Sequence, residues 1–339
     1  MRADPWTDRL WTMVVSGRER SSVQTAFAAL DAGLAPEALL MDVVAAVQDR
    51  VGAEWALGGM TVAQEHAATA ISERVIAALA HHPSRPAPPG PPVEGRITVA
   101  CAEGEWHALP ARLLAEVLRL RGWDVEYLGA QVPTRYLATH LRRTRPAVVA
   151  LSASMTARLP AAHQAITAAR DLGVPVLAGG PAFGSDGRHA RLLEAAGWAP
   201  DARTAADLLA KGIPPLRPTG SRPALPHLDD QEYSLITRSS AQLAHDVQTA
   251  LPPRFARGHT DQEVEWVELL IDVLAAALYV DDADLFTTAT RWTAGILAAR
   301  GVDDTVVLAA LDVMARALTD FPRAAALLTA ARTTLHPLT

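Results

Sequence analysis

Two proline-rich stretches set the first limit on how this chain folds. One runs Pro83-Ser-Arg-Pro-Ala-Pro-Pro-Gly-Pro-Pro-Val-Glu-Gly95, the other from Gly212 to about Pro226. Proline removes an amide donor and blocks helix, so neither stretch fits inside a packed element, and both read as exposed linkers. They divide the 339 residues into a segment 1–82, a linker 83–95, a segment 96–211, a linker 212–227 and a segment 228–339. At roughly 150 residues per domain this length suggests two or three domains. With 50% hydrophobic and 20% charged residues, each segment has enough apolar material for its own core.

Composition excludes several classes. The formal net charge is −6, with no basic block or stripe, so direct binding to nucleic acid is not expected. Cys101 is the single cysteine, which rules out an internal disulfide and a cysteine-rich zinc site. The N-terminus lacks a secretory pattern and no apolar run reaches membrane-spanning length, so the expectation is a cytoplasmic protein away from membranes.

Each segment has a distinct periodicity. Residues 4–17, 20–32, 35–54 and 61–82 space their apolar positions as helices, broken by Gly17, Gly33 with Pro36, and Gly58-Gly59, which predicts a four-helix bundle. The central segment alternates strand and helix. Strands are expected at 97–101, 125–128, 147–152, 174–178 and near 198–201, with helices at 109–122, 134–144, 157–172 and 187–196. That alternation predicts a Rossmann-like (flavodoxin-like) parallel sheet whose ligands bind beyond the carboxyl ends of the strands. The last segment reads as all helix, at about 230–250, 260–280, 282–300, 303–319 and 321–334.

The chemistry collects in the loops after the strands. After the first comes Glu103-Gly-Glu105-Trp-His107-Ala-Leu-Pro110, after the third Ser152-Ala-Ser154-Met-Thr156, and the fourth ends in Gly179-Gly180-Pro181. A histidine in such a crevice can coordinate a metal, and a nearby carboxylate can fix its tautomer through the other ring nitrogen. Small hydroxyl residues leave room beside a bulky ligand, and a glycine pair lets backbone come close to it.

This constellation resembles the cobalamin-binding domain shared by methionine synthases, mutases and cobalamin photoreceptors, which carries Glu/Asp-x-His-x-x-Gly, then Ser-x-Ser or Ser-x-Leu, then Gly-Gly. The resemblance implies that His107 is the lower cobalt ligand and Glu105 its partner. It places the displaced dimethylbenzimidazole tail beside Ser152, Ser154, Gly179 and Gly180. Leu128-Gly129-Ala-Gln-Val132-Pro133 resembles the family's second loop, which brings Gly129 and Val132 to the site. Pro110 stands where the family has glycine.

In the first segment Trp55 is followed, after nine intervening residues, by Glu65-His66. This resembles the Trp-x9-Glu-His signature of the adenosylcobalamin photoreceptors that control carotenoid synthesis. The resemblance implies that Trp55 packs against the adenosyl group, Glu65 hydrogen-bonds it and His66 lies alongside. Those repressors carry a helix-turn-helix ahead of the bundle, whereas this sequence begins at the bundle, so output by DNA binding is not expected. Some also carry a histidine just after the tryptophan, where this chain has Ala56.

The three-part layout resembles photocobilins, which join such a module to a C-terminal bilin-binding, globin-like domain. It implies non-covalent biliverdin, because the last segment has no thiol. Candidate contacts are Arg254, Arg257, His259, Tyr279 and Trp292. A haem held by His259 or His245 is the competing reading of that segment. The expected function is light sensing without enzymatic activity, signalled by self-association or by an unidentified protein partner. A corrinoid carrier of a methyltransferase system is the alternative, and a cofactor-free scaffold a third possibility.

Overall fold

The computed structural model describes residues 3–82, 95–212, 215–216, 225, 227–251 and 266–335. The chain resolves into two compact units: the residues through Ala53 with those from Ala63 through the α/β domain, and Glu54–Val62 with the C-terminal helices.

The N-terminal helices are α1 (Asp4–Val15), α2 (Glu19–Asp31), α3 (Pro36–Ala38), α4 (Ala45–Ala56) and α5 (Val62–Leu79), all in the first unit except the end of α4 from Glu54 and the first residue of α5. Between α3 and α4, Leu39–Val44 forms a π-helical turn. Its wider winding keeps Leu39, Leu40, Val43, Val44, Val47 and Val51 all buried, while Asp42 stays outside. The helix expected over 35–54 runs without a break from Pro36 to Ala56, but with a π-wound stretch at Leu39–Val44, because an apolar pattern alone does not separate α from π winding. Ala26 and Ala29 on α2 are fully buried and let its neighbours approach closely.

The α/β domain is a five-stranded parallel sheet in the order β2-β1-β3-β4-β5. The strands are β1 (Arg96–Cys101), β2 (Asp124–Gly129), β3 (Val148–Ser152), β4 (Val176–Gly179) and β5 (Gly197–Ala199). The helices are α6 (Leu109–Leu120), α7 (Thr134–Thr144), α8 (Leu159–Asp171), α9 (Arg188–Leu192) and α10 (Ala202–Ala210). Every residue of β3, and all of β1 after Arg96, is buried, which is why these strands read as continuous apolar runs. The chain leaves β1 toward β2 and returns to β3 on β1's other side. The carboxyl ends of β1 and β3 therefore flank the topological switch point, where open α/β sheets bind ligands.

α3 and the π turn are fastened to the α/β domain by charge. Arg121, just past α6, donates from Nε and Nη2 to Glu37, both at 2.9 Å, and also pairs with Asp207. Arg203 on α10 holds Asp42 at 2.6 and 2.8 Å and reaches Glu37 at 3.3 Å.

In the second unit the regular elements of the described C-terminal residues are all helices: α11 (His227–Asp230), α12 (Glu232–Ala250), α13 (Trp266–Val280), α14 (Ala283–Ala298), α15 (Asp304–Ala317) and α16 (Pro322–Leu335). α13 is buried on nearly every face and packs against both α12 and α14. Asp282 and Asp303 cap α14 and α15 by accepting from the amides of Asp284 and Thr305. The buried Glu232 caps α16 from a distance, accepting from the amides of Arg323 and Ala324 at 3.1 and 2.9 Å. No described helix is long and apolar enough to cross a membrane.

Candidate cofactor-binding site

The site is organised around a carboxylate with no exposed surface. Glu105 lies in the loop leaving β1, and its side chain is 0% exposed. One oxygen, Oε1, faces His107 Nδ1 at 2.6 Å and accepts the His107 amide at 2.8 Å. The other, Oε2, accepts the amides of Ser154 and Met155 at 2.7 and 2.9 Å. Burial is the largest single influence on Glu105 and pushes its carboxyl upward. The hydrogen bonds from the His107 ring and the Met155 and His107 amides together outweigh it, so the group lies below the usual carboxylate range.

A carboxylate can only accept here, so the His107 ring carries its proton on Nδ1 and keeps Nε2 free for a ligand. The ring is half-exposed. Its basicity is raised first by the Glu105 hydrogen bond, with burial opposing. The charge of Glu65 adds to the rise and that of Arg158 works against it. Glu65, on α5, is therefore an electrostatic neighbour of His107. Its Oε1 accepts from Thr69 Oγ1 at 2.8 Å, which is itself donated to by Gln48 Nε2 at 2.6 Å. His66 is exposed, with Nε2 3.9 Å from Glu65.

Cys101 lies at the end of β1, fully buried, and burial together with the Glu105 charge pushes its thiol up to about 12. It is an inert core residue, out of reach as an attachment point.

The remaining loops gather around the same edge. Ser152 ends β3 and its carbonyl accepts the Ala102 amide at 3.0 Å, while Ser154 reaches Glu105 through its backbone. Gly129 closes β2 at φ +85 with open space where a Cβ would lie. Val132 is half-buried in the loop that follows, where the Gln131 amide donates to Glu105 O at 3.0 Å. Gly179 sits in ordinary packing. Gly180, at φ +103, would place a Cβ 2.3 Å from the Ala153 carbonyl oxygen. That glycine thus also has a packing reason beyond room for a ligand: it lets the β4 turn close against the Ser-x-Ser loop. Residues that the sequence reading passed over are Gln48 and Thr69, which orient Glu65, and Glu103, whose Oε2 accepts the Thr134 amide at the start of α7. The two loop amides on Glu105 were invisible because backbone donors leave no mark in a sequence.

Trp55 belongs to the second unit. Its ring centroid lies 6.1 Å from that of Trp292, at 42°. Trp292 is 45% exposed, whereas Tyr279 is buried in α13 and meets Tyr233 edge-on at 4.8 Å. His245 is exposed on α12. Arg254, Arg257 and His259 lie outside the described residues.

Among the described residues, no three His, Cys, Asp or Glu side chains converge to hold a metal ion on their own. One oriented imidazole with a free Nε2 suits a metal whose remaining ligands come from a macrocycle, so the donor set fits a corrinoid.

Known proteins agree with this fit. Residues 95–207 match the B12 binding domain, and residues 6–80 match a second B12 binding domain family. Together they mark the helical and α/β parts of this chain as those of a cobalamin-binding protein. A stretch of 93 residues is 36% identical to the HTH-type transcriptional repressor CarA of Myxococcus xanthus, and the chain spans 31% of that protein's length. Among solved structures, the Methanosarcina barkeri monomethylamine corrinoid protein aligns over 62% of this chain and 99% of its own, with a TM-score of 0.51 and 16% identity, which shows a common fold.

Proposed function

We propose that this chain, built on two cobalamin-binding segments, is a light sensor that takes adenosylcobalamin as its primary chromophore. The observation that carries the reading is the joint placement of the Glu105–His107 pair and Glu65, one carboxylate orienting the imidazole and the other supplied by the α5 cap. When bound, adenosylcobalamin supplies a cobalt–carbon bond that green light breaks.

The chain's own residues bind and orient. His107 offers Nε2 to the metal, held from behind by Glu105. Ser152, Ser154, Gly179 and Gly180 wall the crevice that accepts the nucleotide tail, with Gly129 and Val132 on the neighbouring loop. Glu65, aimed by Thr69 and Gln48, accepts a hydrogen bond from the upper group, with His66 alongside. Trp55 gives a flat apolar face suited to adenine. Without a bound upper group, Glu65 and Trp55 would lack that contact, which would bias how the cap packs.

Biliverdin is the proposed second chromophore, bound non-covalently by the C-terminal helices, with Tyr279 and Trp292 among its contacts and Arg254, Arg257 and His259 as further candidates. The sole thiol is buried on β1, which supports the non-covalent mode. Output is a light-dependent change in self-association or in contact with a protein partner, without catalysis by the chain itself.

The test is reconstitution with adenosylcobalamin and absorption spectra before and after green light. A stable light-induced spectral change supports the sensor. No photolysis, together with methyl transfer from methylcobalamin, would make the chain a corrinoid carrier instead. Expression with and without biliverdin, read by red absorption, tests the second chromophore.

A further inference from the structure

Arg158 closes the loop that follows β3, and a short chain of bonds ties its backbone to the site. The Met155 amide donates to Glu105 Oε2 at 2.9 Å, and the Met155 carbonyl accepts the Arg158 amide at 2.9 Å. A single turn of 3-10 helix, Thr156–Arg158, lies between, and α8 starts at the next residue, the fully buried Leu159. The side chain then lies across the loop after β1. Gly104, at φ +78, leaves bare backbone there: a Cβ would lie 3.2 Å from Arg158 Nη1 and 3.3 Å from its Cδ and Nε. The half-buried guanidinium therefore rests on the residue just before Glu105, bridging the two loops that carry the candidate ligand and the Ser-x-Ser pair.

A cation at this point needs a reason. Its charge works against protonation of the His107 ring. It would also repel a trivalent cobalt, which a singly anionic macrocycle does not neutralise. An anion brought by the same ligand removes that conflict. Cobalamin carries one, the phosphodiester that joins its dimethylbenzimidazole nucleotide to the corrin. The planar fork of an arginine suits two phosphate oxygens at once. Ser152 and Ser154, the residues expected beside the displaced tail, stand at the head of the same loop.

We infer that Arg158 binds the phosphate of the nucleotide tail and makes the site selective for corrinoids that carry it. The inference rests on the reading of His107 as the lower cobalt ligand, with the tail displaced into the crevice. It divides the work at the lower face. His107 and Glu105 hold the metal, while Arg158 reads whether the tail is present. Because both loops hang on the Glu105 carboxylate, the two functions are held in register by one buried anion.

The experiment uses the full chain and compares affinity for cobinamide, which has the corrin and cobalt but no nucleotide, with affinity for cobinamide phosphate, which adds the phosphate alone. Neither carries a base that competes with His107 for the metal. Arg158→Ala, Arg158→Gln and Arg158→Lys are titrated spectrally beside the unchanged chain and His107→Ala. Cobinamide binding reports that each Arg158 variant is folded with its imidazole in place. The unchanged chain is expected to prefer cobinamide phosphate about tenfold, the scale of a hydrogen bond between charged groups. Arg158→Ala and Arg158→Gln lose that preference, Arg158→Lys keeps part of it, and added salt narrows it in the unchanged chain. Affinity for adenosylcobalamin falls in parallel in Arg158→Ala and Arg158→Gln. A preference that survives in those two variants, an equal loss for both cobinamides, or no preference in the unchanged chain would overturn the inference and leave the lower-ligand reading standing. Cobinamide binding that is unaffected in His107→Ala would remove that reading and the inference with it.

Discussion

The Glu105 carboxylate and the Ser154 amide, forty-nine residues apart in sequence, meet at 2.7 Å. The same carboxylate holds the His107 ring at 2.6 Å. One buried anion thus orients the candidate metal ligand and fixes the loop that walls the candidate tail pocket. Glu105→Gln turns one acceptor into a donor that faces either the His107 ring or two loop amides. We expect a loss of about 2–3 kcal/mol in stability, the scale of buried charged hydrogen bonds left unmade. Hydroxocobalamin affinity should fall about 10- to 100-fold, as for partners of metal-ligating histidines. Urea unfolding and spectral titration measure the two effects. Full affinity in the variant would show that His107 is oriented by something else.

Gly180 and Gly129 both adopt left-handed backbone, yet they predict different outcomes. An alanine at 180 meets the Ala153 carbonyl oxygen at 2.3 Å, whereas at 129 nothing lies within 4 Å. Gly129→Ala carries backbone strain alone, about 1–2 kcal/mol. Gly180→Ala adds a backbone collision that no rotamer relieves, and the loss should exceed about 3 kcal/mol. Equal unfolding midpoints for the two variants would contradict the packing of the β4 turn against the Ser-x-Ser loop.

The charged clamp on α3 and the π turn sets an acid limb. The Arg121 hydrogen bond, against burial, holds Glu37 below the usual carboxylate range, and Arg203 does the same for Asp42. A carboxyl depressed on folding contributes stability above its unfolded pKa, about 4 for these groups, and loses it as pH falls through the folded value. Both groups are partly exposed, so each contributes under about 1 kcal/mol after solvent screening. The unfolding midpoint should therefore drop from about pH 5 downward, and Glu37→Gln with Asp42→Asn should flatten that slope while leaving the basic side unchanged. An identical acid slope in the double variant would assign it to other carboxylates.

The strands were legible because the central sheet is covered on both faces and the apolar runs end in the loops that carry chemistry. β1, expected at 97–101, spans Arg96–Cys101, and the fifth strand, expected near 198–201, is Gly197–Ala199. α10 was missed, although Asp201 caps it by accepting the Thr204 amide at 2.8 Å, and an aspartate three residues before a threonine is a readable start signal. Glu105, His107 and Ser154 were found as a motif, but their joint geometry was not, since it depends on the amides of Ser154 and Met155. The grouping of Glu54–Val62 with the C-terminal helices had no local signal at all, because Trp55 and Arg300 lie 245 positions apart.

Thr69 offers a test of the α5 cap that spares the lower ligand. Its hydroxyl donates to Glu65 Oε1 at 2.8 Å and accepts from Gln48 Nε2 at 2.6 Å, so the chain of three fixes the carboxylate's direction. Thr69→Val keeps the shape and removes both bonds. Glu65 then keeps its charge but loses its aim, and adenosylcobalamin affinity should fall about 3- to 10-fold, the scale of one hydrogen bond to a charged group partly replaced by water. Hydroxocobalamin affinity should stay the same, because the His107 ring still has Glu105 behind it. Glu65→Gln should cost more than Thr69→Val, and combining them should add nothing beyond Glu65→Gln, since Thr69 acts through that carboxylate. Equal losses for both corrinoids in Thr69→Val would place its effect on the packing of α5 rather than on recognition of the upper group.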